Sequence, residues 1–142
     1  MKKILLATIT LTYFITQPCH AQKENKQHAQ WVYVWHTYNN DKLYFMGSPV
    51  SIEKDGVKIW MKMLWAAPEK EVTKKWQTRM LVKVNCFTQK QMILDVIAYD
   101  RNGIVISRED KKESESEWVD IIPDTIMDKA MNMICELFNN SM

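Results

Sequence analysis

Glycine, histidine and cysteine are scarce in this sequence of 142 residues, which contains three of each. Three isolated glycines cannot form a glycine-rich loop that holds phosphate. The histidines and cysteines show neither the short spacings of zinc ligands nor a C-x-x-C pair, and no spacing suggests a nucleophile beside a base. We therefore predict that the protein is not an enzyme and carries no cofactor or metal, with an enzyme of unrecognised type as an alternative.

A hydrophobic run long enough to cross a membrane is also absent, because a spanning helix needs about 20 apolar residues. The uncharged run from Ile4 to Ile15 is shorter, follows two lysines and precedes a small-residue pattern ending at Ala21. These features predict a signal peptide over residues 1–21, hence an exported protein of the periplasm or outer cell surface, with no transmembrane segment in the mature chain. The alternative is a lipid anchor on Cys19, which the proline before it fits poorly.

An excess of either charge is missing from the mature chain. The whole sequence has 19 basic and 17 acidic residues, and the predicted signal peptide removes two lysines, which leaves 17 of each. Nucleic-acid binding normally needs a clear positive excess, so nucleic acid is not a predicted partner. Residues 22–30 are polar without an apolar period and are interpreted as a flexible leader, and residues 31–142 as a single domain.

Strand and helix patterns fill the rest of the chain. Aromatic and β-branched residues dominate Trp31–Tyr38, and the dipeptides ending at Gly56 and Gly103 are typical of tight hairpin turns. Near the C-terminus an apolar stripe recurs at steps of three and four residues. It comprises Met127, Ala130, Met131, Ile134, Leu137 and Phe138. The patterns predict an α+β fold, an antiparallel β-meander of about five or six strands with a C-terminal α-helix packed on one face.

Two cysteines, Cys86 and Cys135, remain after the predicted processing. In an exported protein an even pair predicts a disulfide. The period of two places Cys86 on the core face of a strand over Met80–Phe87, and Cys135 lies at the edge of the helical stripe. The two can therefore meet where the helix lies on the sheet. Two buried reduced thiols are the alternative.

The same alternation yields a candidate interaction face opposite the predicted helix. It comprises Lys58, Trp60, Lys62, Leu64, Leu81 and Phe87. A sheet with a helix on one face and aromatic residues on the other often buries the second face against a partner. We therefore predict a protein partner or a homodimer there, with ordinary half-exposed packing as the alternative. The charged stretches 66–75 and 107–117 mix both signs and are predicted to be solvated loops.

The order of these features resembles the surface-adhesin protein E-like family of exported Gram-negative proteins. The shared features are a Ser-Ile-x-x-x-Gly hairpin followed by tryptophan, a cysteine after a polar residue, Tyr-Asp near a glycine turn, a tryptophan before a proline-led helix, and a final cysteine. In this chain they are Ser51, Ile52, Gly56, Trp60, Asn85, Cys86, Tyr99, Asp100, Trp118, Pro123 and Cys135. The chain departs from the family at Asn85 and Gly47, where acids are common.

The resemblance implies a Cys86–Cys135 bridge, an antiparallel sheet with a helix, and a binding protein that engages matrix or cell-envelope proteins. It also implies dimer formation and a link to haem. The alternative function is therefore a periplasmic haem carrier with His36 or a methionine as axial ligand. The period of two places His36 opposite the face that carries Trp31, Tyr33 and Trp35. No binding residue is carried over from the family.

Overall fold

The computed structural model describes residues 30–66 and 75–138, and these ranges contain eight strands and one α-helix. The strands are β1 (Trp31–His36), β2 (Lys42–Met46), β3 (Ser51–Glu53), β4 (Gly56–Leu64), β5 (Gln77–Asn85), β6 (Lys90–Tyr99), β7 (Val105–Asp110) and β8 (Val119–Asp120). The helix is α1 (Ile126–Phe138), and a short 3-10 helix covers Glu113–Glu115. The predicted signal peptide, nearly all of the leader and most of stretch 66–75 lie outside the described residues. No helix within the described ranges has the length and apolar character needed to cross a membrane.

All eight strands belong to one antiparallel sheet, in which β1, β2, β4, β5, β6 and β7 follow one another as neighbours. The short strands complete its edges, since β3 pairs with the first part of β4 and β8 with the first part of β6. The predicted α+β meander with a C-terminal helix is confirmed. The expected five or six strands correspond to the six of the continuous path, because a two-residue strand such as β8 is too short to show a period.

The core lies between the sheet and α1, which packs on β1 and β2. The helix buries Ala130, Met131 and Ile134. From the sheet, the core receives the almost fully buried side chains of Leu43, Phe45, Val57, Ile59, Met61, Val82 and Val84. Leu137 was predicted to join the apolar stripe but is 55% exposed, because it lies at the edge of the stripe in the last turn of the helix.

A β-bulge in β1 changes the predicted faces of that strand. Tyr33 pairs with Tyr44, whereas Trp35 pairs with Leu43, so that Val34 is an extra residue. One extra residue turns every following side chain to the opposite face. Trp35 therefore lies on the helix side, where the Lys129 ammonium is 3.8 Å from its ring centroid. The prediction that Trp35 shares a face with Tyr33 is wrong.

The turn between β5 and β6 holds the first disulfide cysteine. Strand β5 ends at Asn85, and the Asn85 Oδ1 atom accepts hydrogen bonds from the backbone N–H groups of Phe87 and Thr88 at 3.0 and 2.9 Å. Cys86 is therefore in the turn, not inside a strand as predicted. It is bonded to Cys135 of α1, with 5.7 Å between the Cα atoms, so the predicted pairing is present and joins this turn to the helix.

The second charged stretch is not the solvated loop that the sequence predicted. Its first part forms the exposed edge strand β7, which pairs with β6. The chain then turns into the 3-10 helix, where Glu113 contacts a buried lysine on β5, Lys83. Mixed charge is compatible with an edge strand, because neither face of β7 is buried.

Replacement of Gly56 by alanine is expected to destabilise the protein by about 2 kcal/mol, a typical cost of overpacking. A Cβ atom at this position would lie 2.5 Å from the backbone oxygen of Val84 on the neighbouring strand, and backbone in the middle of a sheet cannot yield cheaply. Urea denaturation of both proteins measures the loss.

The matched control is Gly103→Ala. Gly103 has φ of 80° but a Cβ there meets nothing within 4 Å, so only about 1 kcal/mol of left-handed backbone cost is expected. A smaller loss for Gly56→Ala than for Gly103→Ala would contradict the steric argument.

Candidate functional site: the open sheet face

The sheet face opposite α1 carries a patch of aromatic and basic side chains, called the open face below. Strand register assembles it, because Tyr44 pairs with Lys62 and Lys62 with Arg79 in one row across β2, β4 and β5. The open face comprises Trp31, Tyr44, Met46, Trp60, Lys62, Leu64, Arg79, Leu81, Ile97 and Tyr99, all of them partly exposed. No α-helix among the described residues covers it, since α1 lies on the other side.

Aromatic rings surround the two cations of the open face. The Lys62 ammonium is 4.4 Å from the ring centroid of Trp31 and 4.7 Å from that of Tyr44. The Arg79 guanidinium carbon is 4.9 Å from the ring centroid of Tyr99. Cation–π contacts of this length contribute about 0.5–2 kcal/mol each. The rings therefore hold both cations in place while leaving their positive charge unneutralised.

Neither Lys62 nor Arg79 forms an ion pair with a carboxylate in the part of the chain that the structure describes. The Arg79 Nε atom is buried and has no hydrogen-bond partner there. Burial lowers the pKa of Lys62, and the adjacent charge of Arg79 lowers it further. The acid in the neighbouring row, Asp95, is bonded at 2.8 Å to Arg108 instead. The centre of the open face therefore holds two cations that have no counter-ion among residues 30–66 and 75–138.

A shallow hollow lies beside the Arg79 side chain. It has a volume of about 140 Å³ and is lined by Trp31, Met46, Trp60, Arg79, Ile97 and Tyr99. Its walls are mostly apolar, and the guanidinium of Arg79 adds a positive charge. The arrangement suits a group with an apolar body and an anionic end.

The structure brings together four of the six residues predicted for the interaction face: Trp60, Lys62, Leu64 and Leu81 lie on the open face. Phe87 does not, because the strand ends before it and the side chain is 74% exposed in the β5–β6 turn. Lys58 points to the same side of the sheet but is bonded to Glu53 and Glu113 at 2.8 and 2.7 Å. Its charge is therefore not available to a partner.

Lys83 is the centre of a separate ionic cluster beside the open face. Its side chain is only 2% exposed, and its Nζ contacts Glu53 and Asp55 at 2.8 Å and also Glu113. Burial alone would lower the pKa of Lys83, but hydrogen bonds to the three carboxylates outweigh it and raise the pKa. Hydrogen bonds from Lys58 and then Lys83 lower the pKa of Glu53 to about 2. The cluster therefore fastens the 3-10 helix to the β3–β4 hairpin.

Six of the ten residues of the open face were not predicted from the sequence, above all Arg79, Trp31, Tyr44 and Tyr99. These residues come from four strands, and no local pattern shows which residues of different strands are neighbours. The positions of the turns were the available signal. Once each hairpin turn is located, the lengths of its two strands predict approximately which residues are opposite each other. Two bulges, in β1 and in β6 near Leu94, limit that approach.

The haem alternative finds no support in the surroundings of His36. The imidazole is exposed at the sheet edge, its Nδ1 lies 2.9 Å from the Tyr33 hydroxyl, and it stacks on Trp35. The prediction that His36 lies opposite Tyr33 is wrong, because the β1 bulge returns it to the same side. Within the described ranges, no group of three or more His, Cys, Asp or Glu side chains could hold a metal ion.

Comparison with known proteins places the fold. The sequence model of the surface-adhesin protein E family matches residues 31–136. The solved structure of Haemophilus influenzae protein E is similar, with a TM-score of 0.53 and 16% sequence identity, over 79% of this chain and 88% of that one. No curated protein matches the chain. Because the family match spans nearly all of the sheet and the helix, this chain belongs to the surface-adhesin protein E family.

Proposed function

We propose that this protein is an exported, non-enzymatic binding protein that engages other proteins through its open face. The observation that carries the proposal is the pair of unneutralised cations, Lys62 and Arg79, set among tryptophan and tyrosine rings on an uncovered sheet face. Aromatic residues and arginine are enriched where protein interfaces gain most of their energy. Membership in a family of surface adhesins supports the same function.

Export to the periplasm or the outer cell surface is part of the proposal. The predicted signal peptide over residues 1–21 and the disulfide between Cys86 and Cys135 support it, because disulfides persist in oxidising compartments. Matrix proteins and cell-envelope proteins are the proposed partner classes. Digestion by a protease added to intact cells distinguishes the outer surface from the periplasm.

Replacement of Trp60 by serine tests the open face as a binding surface. The protein is purified from the extracytoplasmic fraction of cells that express the full chain, and binding to a panel of purified matrix and envelope proteins is measured by biolayer interferometry. Where the wild-type protein binds, Trp60→Ser is expected to weaken the affinity at least about tenfold, the loss typical of an interfacial tryptophan.

The matched control is Phe87→Ser, which removes an exposed aromatic residue outside the open face. It is expected to change the affinity less than about twofold. Thermal unfolding of both variants checks that they fold. Absence of binding across the whole panel, or equal binding by wild-type and Trp60→Ser, would contradict the proposal.

A further inference from the structure

We propose that Lys62 and Arg79 together form a carboxylate-binding site on the open face, and that the partner they fit is an acidic polypeptide segment whose glutamate or aspartate is flanked by apolar residues. The inference deepens the proposed function and rests on it. It names the chemistry of the partner and the two side chains that recognise it.

The first step is charge. The two cations are direct neighbours across β4 and β5, where the Cβ atoms of opposed residues stand about 5 Å apart. Like charges directly opposite each other destabilise a sheet. Among the described residues no carboxylate does so, although Lys58 and Lys83 on the same two strands are bonded to acids. An anion that neutralises Lys62 and Arg79 would therefore have to come from outside the described residues.

The second step is geometry. The Lys62 ammonium and the Arg79 guanidinium are each held against aromatic rings, so little side-chain entropy remains to be lost when an anion binds. The Arg79 side chain lines the hollow and forms no ion pair among the described residues, and a carboxylate is the group that accepts two hydrogen bonds from an arginine. The site is thus preorganised for a carboxylate.

The third step is the apolar border, which distinguishes a polypeptide from other polyanions. Leu81, Ile97 and Met46 surround the cation pair and are partly exposed. A sulfated glycan or a nucleic acid presents many charges in series and needs a row of cations, whereas this face offers two. A polypeptide with one acid between apolar side chains matches both parts of the surface.

A second copy of the chain is a poorer match for the centre of the face. In a two-fold symmetric dimer the same patch lies on both subunits. Two open faces packed centre to centre would bring Lys62 and Arg79 of one protomer toward the same cations of the other, without a carboxylate between them. The predicted homodimer is therefore treated as a competing outcome of the experiment.

The experiment measures binding of two labelled twelve-residue synthetic peptides to the exported protein by fluorescence anisotropy. One peptide carries a glutamate between leucine and valine. The control peptide has the same sequence except that glutamine replaces this glutamate. We expect the wild-type protein to bind the glutamate peptide at least about tenfold more tightly, as charge-assisted hydrogen bonds predict. Raising the salt concentration is expected to reduce this preference, since exposed charges are screened.

The double variant Lys62→Met with Arg79→Leu is expected to reduce the preference for glutamate to less than about twofold. The control variant Lys90→Met with Lys112→Met removes two charges outside the open face and is expected to keep the preference. In case the first variant does not fold, the Arg79 Nε–H signal of the wild-type protein is followed by NMR. It is expected to shift on addition of the glutamate peptide and not the glutamine peptide.

Equal affinity for the two peptides, an unmoved Arg79 signal, or retention of the preference by the double variant would each overturn the inference. So would tighter binding of a heparin oligosaccharide, or sedimentation showing a dimer that the Lys62 and Arg79 substitutions dissociate. Any of these results leaves the proposed function standing if Trp60→Ser still weakens binding to a protein partner. Loss of both effects would remove the proposed function as well.

Discussion

Replacement of Lys83 by methionine is expected to lower the free energy of unfolding by about 3 kcal/mol at neutral pH. Methionine matches the length of the lysine stem, so the loss arises from charge. The Lys83 side chain is 2% exposed and its ammonium contacts three carboxylates, and removal of one partner from a buried ionic group costs about 3–5 kcal/mol. The lower end applies because Glu53, Asp55 and Glu113 are 34%, 59% and 36% exposed and can be partly solvated in the variant.

The pH dependence identifies the cause of this loss. The folded pKa of Glu53 is about 2, against an ordinary value of 4.5, so its contribution to stability is complete above pH 4.5 and is lost as the pH falls toward 2. The raised pKa of Lys83 gives a contribution that is complete below 10.5 and is lost only above it. The difference between wild-type and Lys83→Met is therefore expected to be constant from about pH 6 to pH 9 and to shrink below pH 4.

Urea denaturation at several pH values measures both effects. The control Lys112→Met removes a lysine whose side chain is 82% exposed and 3.8 Å from Glu115, and such pairs contribute less than about 1 kcal/mol. Addition of Glu113→Gln to Lys83→Met is expected to restore part of the lost stability, because one unneutralised carboxylate disappears. A loss below 1 kcal/mol, or one that is the same at pH 3 and pH 7, would contradict the assignment.

The fold was accessible from the sequence because its determinants are local. The hairpin dipeptides at Gly56 and Gly103 mark turns whose backbone few other residues tolerate, and Gly103 has φ of 80° as such a turn requires. The apolar stripe identified α1. The strand alternation identified the face that carries Trp60, and the residues that alternate with it in β4, Val57, Ile59 and Met61, are fully buried. Each of these signals depends only on residues close together in the sequence, so it can be recognised without knowledge of the tertiary structure.

The ionic cluster and much of the open face were not accessible, because they depend on contacts between distant segments. Lys83 occupies an ordinary polar position in its strand, and its contacts with Asp55 and Glu113 join segments 28 and 30 residues away. Charged residues of both signs in that segment gave no reason to choose one as a partner. The predicted face of β1 failed for a related reason, since the bulge at Val34 has no sequence signature that distinguishes it from regular strand.

Removal of the disulfide by the double substitution Cys86→Ala and Cys135→Ala is expected to destabilise the exported protein by about 4 kcal/mol. The bridge spans 49 residues of sequence, and in the chain-entropy model a closed loop of this length stabilises by roughly that amount. It joins the β5–β6 turn to α1, while α1 packs on β1 and β2. The disulfide therefore ties the helix to the β5–β6 side of the sheet, where the helix makes fewer packing contacts than on β1 and β2.

Urea denaturation with and without a thiol reductant measures this contribution. The reductant is expected to destabilise the wild-type protein to the level of the double variant and to leave the variant unchanged. The variant is also expected to show a steeper dependence of stability on urea, because its unfolded chain is more expanded and exposes more surface. If the exported wild-type protein has two free thiols before reduction, or if reduction costs less than about 1 kcal/mol, then the helix is held by its apolar contacts alone. Ala130, Met131 and Ile134 would in that case be the residues whose truncation unfolds the domain.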